Sequence, residues 1–374
     1  MSATQRALEA AREVGFDVAG IAPCAPPPDA ARFEAWLAAG HHAGMAYLED
    51  ERERILDPRR VLPEGRSILL IGFAHSRPAF ELAGGGRIAR YAAGRDYHNL
   101  VGEKLLKLAR ILKREGWIRD RRRLVDAGPL LERSHAVRAG VGFASKAANV
   151  LHARFGPWFF LGALIVDAEF VPTDTPAPGS CGTCRACLDA CPTAAIREPG
   201  VVDANLCLSY HTIESSDAMP HELRERAGPW AFGCDVCSEV CPWGRASPDL
   251  SGRFGTHGAL DGAGLIELLS DADPERWTGS PLQRPKRAGR ARNAAIALGN
   301  VPSERGRDAL LTALASDPAP LVREAAAWAL AHAHASDAGV RSALDVARER
   351  ESDDGARTGM ERTADSELDH RPLP

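Results

Sequence analysis

The chain has 374 residues, of which 45% are apolar and 6% are aromatic. This is the composition of a globular protein, and at roughly 100–200 residues per domain the length predicts two or three domains. The formal net charge is −4, but residues 349–374 hold eight acids and four arginines, so the rest of the chain sums to zero. A neutral body can still carry local basic patches, so nucleic-acid binding is not excluded.

The opening residues, MSATQRALEAAREVGF, form a polar, alanine-rich helical pattern without the apolar core of a signal peptide. The longest apolar run, 157–166, is about half of the ~20 residues that a membrane helix needs. Eight of the nine cysteines lie within 181–241, and only Cys24, interpreted as a small apolar filler, stands apart. Disulfide scaffolds are usually short and secreted, so we expect a cytoplasmic protein whose cysteines bind metal.

The first 170 residues predict a mixed arrangement of helices and strands. Strands are expected at SILLIGFA (67–74), LVDAG (124–128) and GALIVD (162–167). Leu and Ile recur at three- and four-residue spacing in 101–116, which predicts a helix that ends at a glycine. The proline-rich segment 171–180 is typical of a linker.

Alanine-rich helices are predicted in the C-terminal part of the chain. RNAAIALGN (292–300) and REAAAWALA (323–331) resemble each other, and DALLTALAS (308–316) lies between them as a partner helix. Paired helices at a fixed period favour a short HEAT-like array, although an ordinary alanine-rich bundle would give the same composition. Beyond about residue 350 the chain is acidic and poor in apolar residues, so we expect disorder.

The cysteines follow the spacing of bacterial ferredoxins, in which three thiolates hold one iron–sulfur cube and the fourth reaches a second cube. The first run is Cys181-x2-Cys184-x2-Cys187-x3-Cys191-Pro192, and the second comprises Cys207 and Cys234-x2-Cys237-x3-Cys241-Pro242. The exchange predicts one 4Fe-4S cluster on Cys181, Cys184, Cys187 and Cys241, and another on Cys191, Cys207, Cys234 and Cys237. Structural zinc is the alternative, but zinc sites favour two separated CxxC pairs.

Two clusters in tandem conduct electrons and do not by themselves make a reaction site. The glycine-rich segments at 84–87 and 140–143 match neither a dinucleotide-binding nor a phosphate-binding pattern. DYHNLVG (96–102) comes close to the D-x-H-x-x-G pattern of some cobalamin enzymes, but Val101 occupies the position of the glycine, which follows one residue late.

Taken together, these segments resemble the epoxyqueuosine reductase family over about 1–330. The matching stretches are YAAGRDYH (91–98), VDAGPLLER (125–133), AGVGFASKAANVL (139–151), GPWFFLGALI (156–165), CGTCRACLDACPTAAI (181–196), CLSYHTIE (207–214), GCDVCSEVCPW (233–243) and GSPLQRPKRAGRARNAAIALGN (279–300). The resemblance implies an α+β fold. It divides the chain into an N-terminal α/β cobalamin-binding catalytic domain (1–170), a ferredoxin-like double-cluster module (171–245), HEAT-like helical repeats (246–350) and an acidic disordered tail (351–374).

The resemblance also implies an activity: reduction of the epoxide of epoxyqueuosine to queuosine at the wobble position of tRNA. Cobalamin recharged by the two clusters would supply the electrons, and a nearby acid would supply protons. The implied partners are tRNA and an external electron donor such as a flavodoxin or ferredoxin. We expect a monomer with no membrane association.

Site residues follow from the same resemblance. Asp126 matches the family's proposed acid, and as a proton donor it needs a pKa raised well above ~3.9 by burial beside the corrin; a strand-end aspartate that caps a turn is the alternative. The residues expected to contact cobalamin are Arg54, Tyr97, His98, Asp126, Lys146, Asn149, Ser209 and Tyr210. Tyr97 and His98 could instead be packed at the start of a helix, and Arg54, Lys146 and Asn149 could be solvated surface residues.

Departures from the family pattern occur around the expected cofactor site. Ser145 and Ala147 stand where the family usually has Gly and Asn, and Pro157 and Ala163 replace the usual Ser and Glu. We expect these changes to alter the geometry around cobalamin and not the clusters. His211 stands where the family tends to be apolar, and it either faces the substrate or is a tolerated variation.

The run QRPKRAGRAR (283–292) has five cations and no acid, as phosphate binding requires. It predicts tRNA contacts from Arg284, Lys286, Arg287, Arg290 and Arg292. The second arginine-rich run, RDRRR (119–123), is by itself more typical of a solvated helix end.

Two other functions fit parts of the sequence. Reductive dehalogenases combine cobalamin and two clusters on small organohalides, but they tend to carry a twin-arginine export signal and to lack a HEAT-like tail. A non-catalytic electron carrier would use the flanking segments only for docking, and stoichiometric cobalamin binding would eliminate that interpretation.

Overall fold

The computed structural model describes residues 1–273 and 275–369. Its α-helices are α1 (Ala3–Glu13), α2 (Ala30–Ala38), α3 (Tyr47–Asp50), α4 (Arg52–Leu56), α5 (Tyr97–Arg114), α6 (Glu132–Arg138), α7 (Ala186–Ala190), α8 (Leu208–Ile213), α9 (His221–Ala227), α10 (Val236–Glu239), α11 (Pro242–Arg245), α12 (Leu265–Ser270), α13 (Lys286–Asn300), α14 (Glu304–Ser316), α15 (Pro320–His334), α16 (Ala338–Arg350) and α17 (Asp354–Asp369). Its β-strands are β1 (Val18–Pro23), β2 (Ser67–Ala74), β3 (Phe80–Glu81), β4 (Arg87–Ile88), β5 (Arg121–Leu124), β6 (Phe143–Ala144), β7 (Val150–Leu151), β8 (Phe159–Val166), β9 (Ile196–Glu198), β10 (Val201–Val202) and β11 (Trp230–Phe232).

These elements form two compact units that share chain segments. The first unit contains residues 1–78, 94–205 and 235–255, and the second contains 79–93, 206–234 and the chain from 256 onward. The sequence predicts consecutive domains. In the structure the cysteine-rich region contributes residues to both units, because 206–234 belongs to the second unit and the segments on either side of it belong to the first.

The first unit is built on an antiparallel sheet in the order β1-β2-β8-β5. The predicted strand at 67–74 is β2 itself, and it is buried along its whole length. The predicted strand at 124–128 is wrong in its bounds, because β5 ends at Leu124 and the following residues form the loop that carries Asp126. The antiparallel order places the end of β5 beside the middle of β8, with Leu124 opposite Ala163.

Helices cover both faces of this sheet. A Cβ added to Gly162 of β8 would lie 2.9 Å from Val101 and 3.1 Å from Leu105, so α5 packs closely on that face. The opposite face packs Ile165 against Ala136 and Ala139 of α6 and its C-terminus. Helix α5 begins before the predicted position 101, because Asp96 caps it by accepting a hydrogen bond from the backbone of His98 at 2.9 Å.

The second unit contains the small sheet β11-β4-β3 and the C-terminal helices around one core. The predicted helices at 292–300, 308–316 and 323–331 lie within α13, α14 and α15. Helices α13 and α15 approach closely: a Cβ on Gly299 would lie 2.9 Å from the Cα atom of Ala329. Small residues along both helices therefore provide the contact surface.

The expected disorder from residue 351 is wrong for much of that segment. Helix α17 covers Asp354–Asp369, and its Ala356 and Met360 are buried at 5% exposure each, so these two side chains supply the apolar contacts that composition alone did not reveal. Residues 370–374 of the predicted tail lie outside the described residues. In the part of the chain that the structure describes, no helix is long and apolar enough to cross a membrane.

Candidate functional site

The DYH segment places two polar side chains beside Asp126. Asp96 caps α5, and its Oδ1 lies 2.8 Å from Nδ1 of His98, which fixes the orientation of the imidazole. The opposite ring nitrogen, Nε2, then lies 3.4 Å from Oδ2 of Asp126. The Tyr97 hydroxyl donates to the same carboxylate oxygen at 2.8 Å. The structure thus brings together Tyr97, His98 and Asp126, three of the predicted site residues.

Stacked aromatic rings hold Tyr97 in place within this cluster. The Tyr97 ring stacks on Phe160 with centroids 4.4 Å apart and an angle of 2° between the planes. Phe160 also stacks on His75 at 4.2 Å, and both side chains are buried. Tyr97 therefore has little freedom to turn, so its hydroxyl is held toward Asp126.

Asp126 sits in a strained loop conformation. Its φ is 55°, the left-handed region that residues with a Cβ seldom occupy, and such strain is typical of functional loops. Its backbone N–H donates to Oε1 of Glu132, in the first turn of α6, at 3.0 Å. The Asp126 side chain is 61% exposed, so it is open to a ligand.

The contacts within this cluster shift the pKa values of Asp126, His98 and Glu132. Although partial desolvation by the surrounding groups favours a neutral carboxyl, hydrogen bonds from His98 and Tyr97 hold the pKa of Asp126 below its ordinary value. The raised pKa expected of a proton donor depends on burial beside the corrin, and the protein groups by themselves shift the pKa of Asp126 in the opposite direction. Burial opposes charge on His98 as well, but hydrogen bonds to Asp126 and Asp96 raise the pKa of its imidazole to about 9. Burial, together with the Asp126 carboxylate, raises the pKa of Glu132 to about 8.

At neutral pH the cluster therefore holds an ionised Asp126 between two protonated groups, His98 and Glu132. Sequence reasoning missed Asp96 and Glu132 as members of the site. Asp96 carried a detectable signal, since an aspartate followed two residues later by histidine at a helix start can cap the helix and orient the ring. Glu132 lay inside the VDAGPLLER segment but had no pattern that set it apart.

Lys146 and Asn149, both predicted to bind the cofactor, have different environments. The Lys146 ammonium donates to the backbone carbonyls of Gly182 at 2.8 Å and Cys184 at 2.9 Å, so it binds the cysteine loop. The side-chain amide of Asn149 has no protein partner among the described residues and lines the cavity beside the cysteines. Arg54 pairs with Glu51 on the surface at 2.8 Å.

The departures from the family pattern have structural roles. The Ser145 hydroxyl accepts hydrogen bonds from the backbones of Ala147 at 3.2 Å and Asn149 at 3.0 Å, which closes a turn that a glycine could not close in this way. Ala163 is fully buried within the apolar core under α6. Pro157 lines the same cavity as Asn149.

Four cysteines predicted for the first cluster lie around this cavity. They are Cys181, Cys184, Cys187 and Cys241, and Cys237 also reaches its wall. Burial raises the pKa of the Cys187 thiol, and the nearby Cys181 and Cys241 raise it further. Within the described residues, no group of three or more His, Cys, Asp or Glu is arranged to hold a single metal ion.

The second predicted set divides between the two units. Cys191 and Cys237 belong to the first unit, and Cys207 and Cys234 to the second. The Cys191 sulfur accepts a hydrogen bond from the backbone N–H of Ala195 at 3.3 Å. Cysteine sulfurs are the usual donors to iron–sulfur clusters.

Helix α8 in the second unit carries the remaining cofactor candidates, Ser209 and Tyr210. The adjacent His211 is 5% exposed and its ring lies 5.1 Å from the Tyr210 ring. The expectation that His211 could face a substrate is therefore wrong, because it is packed within its own unit.

The predicted tRNA cations do not form one exposed surface. Arg290 and Arg292 are 6% and 0% exposed, so neither can reach a phosphate and both predictions are wrong. Arg292 donates to the backbone carbonyls of His211, Ser215 and Asp217, and burial lowers the pKa of its guanidinium to about 10.

The remaining cations of this run lie at the start of α13. Arg287 is half-buried against Asp317 at 2.6 Å, and the exposed Arg284 pairs with Glu214 at 2.8 Å. Lys286 is exposed. The arginine-rich run 119–123 is interpreted from the sequence as a solvated helix end, but its last three residues begin β5, an edge strand of the first unit.

Known proteins resemble this chain over most of its length. A family model described as "Epoxyqueuosine reductase QueG, DUF1730" matches residues 56–127, and one described as "4Fe-4S double cluster binding domain" matches 180–244. The epoxyqueuosine reductase of Gloeobacter violaceus is 40% identical over 303 residues, which cover 77% of this chain and 93% of that protein. The enzyme of Xanthomonas campestris is 37% identical over 84% of this chain and 90% of its own length.

Solved structures are similar over nearly the whole chain. A crystal structure of epoxyqueuosine reductase with an epoxyqueuosine-modified tRNA-Tyr stem loop has a TM-score of 0.84 and 28% identity, covering 96% of this chain and 97% of that one. The Bacillus subtilis enzyme, solved with its catalytic aspartate loop swung out of the active site, also has a TM-score of 0.84, with 28% identity and coverage of 96% and 98%.

Proposed function

The chain belongs to the epoxyqueuosine reductase family, and from this premise we propose how its own residues carry out the reaction. It is an oxidoreductase that reduces the epoxide of epoxyqueuosine to the alkene of queuosine, with tRNA as its substrate. Both carbon–oxygen bonds of the epoxide break, a carbon–carbon double bond forms, and the oxygen leaves as water. The change consumes two electrons and two protons, so the site must deliver both.

Asp126 delivers a proton to the epoxide oxygen. The observation that carries this assignment is the contact of one Asp126 oxygen with both Tyr97 and His98. His98 is protonated at neutral pH and can resupply a proton to the carboxylate that it touches. A substrate and an apolar cofactor above the exposed carboxylate would favour its neutral form, which reverses the shift in its pKa.

Movement of the Asp126 loop fits this role. The left-handed backbone of Asp126 is held by the contact with Glu132, and release of that contact would relieve the strain. The relative from Bacillus subtilis was solved with its catalytic aspartate loop out of the active site. We infer that the loop of this chain also opens to admit the modified base.

The double-cluster domain supplies electrons singly through two 4Fe-4S clusters. We propose that the first is held by Cys181, Cys184, Cys187 and Cys241, and the second by Cys191, Cys207, Cys234 and Cys237. Lys146 fixes the loop of the first set by binding two of its carbonyls. Its positive charge also offsets the negative charge of a thiolate-bound cluster.

Cobalamin is the proposed cofactor, and when bound it supplies a reduced cobalt that acts as a nucleophile or electron donor toward the epoxide carbon. The unpartnered amide of Asn149 fits a corrin amide, and the open side of the Tyr97, His98 and Asp126 cluster fits the face of the ring. Ser209 and Tyr210 remain proposed contacts. Lys146 and Arg54 are less suited, since each is already bound to protein groups.

The second unit is proposed to bind tRNA through HEAT-like helices. Helices α13, α15 and α17 begin at Lys286, Pro320 and Asp354, which are equally spaced along the chain, and this regularity supports a repeat. Lys286 and Arg284 are the exposed cations of the predicted run, and Arg287 is half-buried. We further propose that the protein acts as a monomer fed by a flavodoxin or ferredoxin.

An anaerobic assay tests the function. The purified protein with reconstituted clusters receives cobalamin, a reductant and tRNA that carries epoxyqueuosine, and digested nucleosides are then weighed by mass spectrometry. Loss of one oxygen by the wild type and not by Asp126→Asn supports both the reaction and the acid. Conversion by both proteins removes Asp126 from the mechanism, and an unchanged tRNA overturns the function. Cobalamin binding, followed by absorbance, is measured separately in the same samples.

A further inference from the structure

Strand β5 carries three consecutive arginines directly before the Asp126 loop. It is an edge strand of the sheet and pairs with β8, with Arg121 opposite Val166 and Arg123 opposite Leu164. Alternate residues of a strand point to opposite faces. Leu124 packs into the core on the α6 face, so Arg121 and Arg123 lie on the α5 face and Arg122 does not.

Gly102 of α5 lies against one of these arginines. A Cβ added to Gly102 would lie 2.9 Å from Nη1 of Arg123, so the guanidinium packs closely over the helix at this residue. Glycine inside a helix costs about 0.5–1 kcal/mol relative to alanine, which makes its presence in α5 unfavourable unless the space is used. Gly102 is the same glycine that falls one residue outside the cobalamin pattern.

The two arginines on the α5 face form no ion pair with any acid in the part of the chain that the structure describes, and Arg123 is exposed. Arg122, in contrast, lies 3.8 Å from Asp120. Two uncompensated guanidiniums on one side of an edge strand favour an anionic ligand, and planar guanidiniums bind phosphate through paired hydrogen bonds.

The position of this strand indicates which anion it binds. Arg123 precedes Asp126 by three residues, so at about 3.3 Å per residue the two lie within ~10 Å. A base that enters the site must be splayed from its neighbours, which leaves the flanking phosphates at the rim of the site. We propose that Arg121 and Arg123 bind the backbone phosphates next to the epoxyqueuosine nucleotide. This proposal rests on the proposed function and adds a tRNA contact in the first unit.

The test measures RNA binding as a function of salt. A labelled anticodon stem loop carrying epoxyqueuosine is titrated with wild type, R121Q/R123Q and R122Q, and log Kd is plotted against log KCl concentration. Each lost phosphate contact lowers the slope by about 0.7–0.9. We therefore expect R121Q/R123Q to lower the slope by between about one and two, with a several-fold weaker Kd at low salt. R122Q removes a charge from the same strand but should keep the wild-type slope.

Further variants separate charge from folding. R121K/R123K keeps both charges and should retain most of the slope, while circular dichroism confirms that all variants are folded. A slope for R121Q/R123Q equal to that of R122Q overturns the proposal, as does unchanged RNA binding with slower reduction by a flavodoxin, which would mark a protein-docking surface. Epoxide reduction by the wild type is scored in parallel. If the wild type reduces the epoxide while R121Q/R123Q and R122Q have equal slopes, the proposed function is retained and only the phosphate contact is rejected.

Discussion

The Tyr97 hydroxyl donates a 2.8 Å hydrogen bond to Oδ2 of Asp126. Tyr97 belongs to the first turn of α5, whereas Asp126 lies in the loop after β5, so this bond ties the strained loop to a rigid helix. The stacking of Tyr97 on Phe160 holds the donor in place. The two residues together define the closed position of the loop.

Removing this bond should slow the reaction without removing the acid. Tyr97→Phe keeps the stacking but loses the hydroxyl, so the Asp126 carboxylate is held less firmly and its pKa moves up toward the ordinary value. We expect kcat/KM for epoxide reduction to fall about tenfold, which corresponds to ~1.4 kcal/mol. Tyr47→Phe, at an exposed tyrosine, is the matched control and should leave the rate unchanged. Equal rates for both variants would show that the bond has no role.

The protonation of His98 predicts an alkaline limit to activity. Its pKa is raised from 6.5 to about 9 in the folded protein, so the ring is charged at neutral pH and loses its proton as the pH rises through 9. The stabilisation from its contacts with Asp126 and Asp96 is fully present below pH 6.5 and is lost over the same rise. We expect the rate of reduction to decline above about pH 9 in the wild type.

Two variants assign that limit to one residue. His98→Gln should abolish the decline near pH 9, whereas Glu132→Gln should retain it while removing any change near pH 8, where Glu132 titrates. Rates are measured from pH 6 to 10 with the clusters' visible absorbance recorded at each pH. A decline at the same pH in His98→Gln would assign it to another group.

The sequence predicted the site better than its electrostatics. The motif resemblance identified Tyr97, His98 and Asp126, and the structure brings all three together. The direction of the Asp126 pKa could not be predicted, because it depends on which neighbours donate to the carboxylate and on the loop backbone. Such contacts are set by the packing of α5 against β8, which no local pattern encodes.

For the two basic runs, the sequence predicted the charges correctly but not the burial or the secondary structure of the arginines. Composition identified Arg290 and Arg292 as cations, but charge alone does not show that a helix turns them inward, where backbone carbonyls solvate them. The same composition made residues 119–123 resemble a helix end. The position of residues 121–123 in the edge strand β5 depends on long-range pairing with β8, and three arginines have little intrinsic preference for a strand.

Buried Arg292 predicts a large effect on stability. Arg292→Met would leave the carbonyls of His211, Ser215 and Asp217 without their donor in a buried site, and each such loss costs about 1–3 kcal/mol. We expect a lower free energy of unfolding by roughly 3 kcal/mol or more. Lys286→Met, at an exposed position of the same helix, should change it little. Urea unfolding followed by circular dichroism measures both, and similar midpoints would contradict the buried role.

His135 predicts a loss of stability in acid. It is fully buried in α6, and within the described residues neither ring nitrogen has a hydrogen-bond partner. Burial, with a smaller effect of Arg138, lowers its pKa from 6.5 to about 4. Between these two pH values His135 binds a proton in the unfolded chain but not in the folded protein. The free energy of unfolding therefore falls as the pH drops from about 6.5 to about 4.

The size of this effect follows from the shift, at 1.36 kcal/mol per pKa unit, and reaches roughly 3 kcal/mol at the acid end. His135→Leu removes the titrating group and should flatten the dependence between pH 6.5 and 4. Unfolding free energies are measured at pH 7, 5.5 and 4.5 for both proteins. Parallel curves would show that the loss of stability arises from carboxylates elsewhere.

Two glycines of the first unit predict opposite responses to alanine. At Gly102 the three nearest atoms to an added Cβ all belong to the flexible Arg123 guanidinium, the closest at 2.9 Å, so the side chain can move aside. Since alanine favours a helix by about 0.5–1 kcal/mol over glycine, Gly102→Ala should raise the free energy of unfolding by up to that amount. At Gly20 an added Cβ would lie 2.0 Å from the carbonyl oxygen of Ala139, so Gly20→Ala must displace backbone and should destabilise the sheet. Thermal unfolding of both variants checks the contrast, and a destabilised Gly102→Ala would mean that the Arg123 guanidinium is held rigidly across α5.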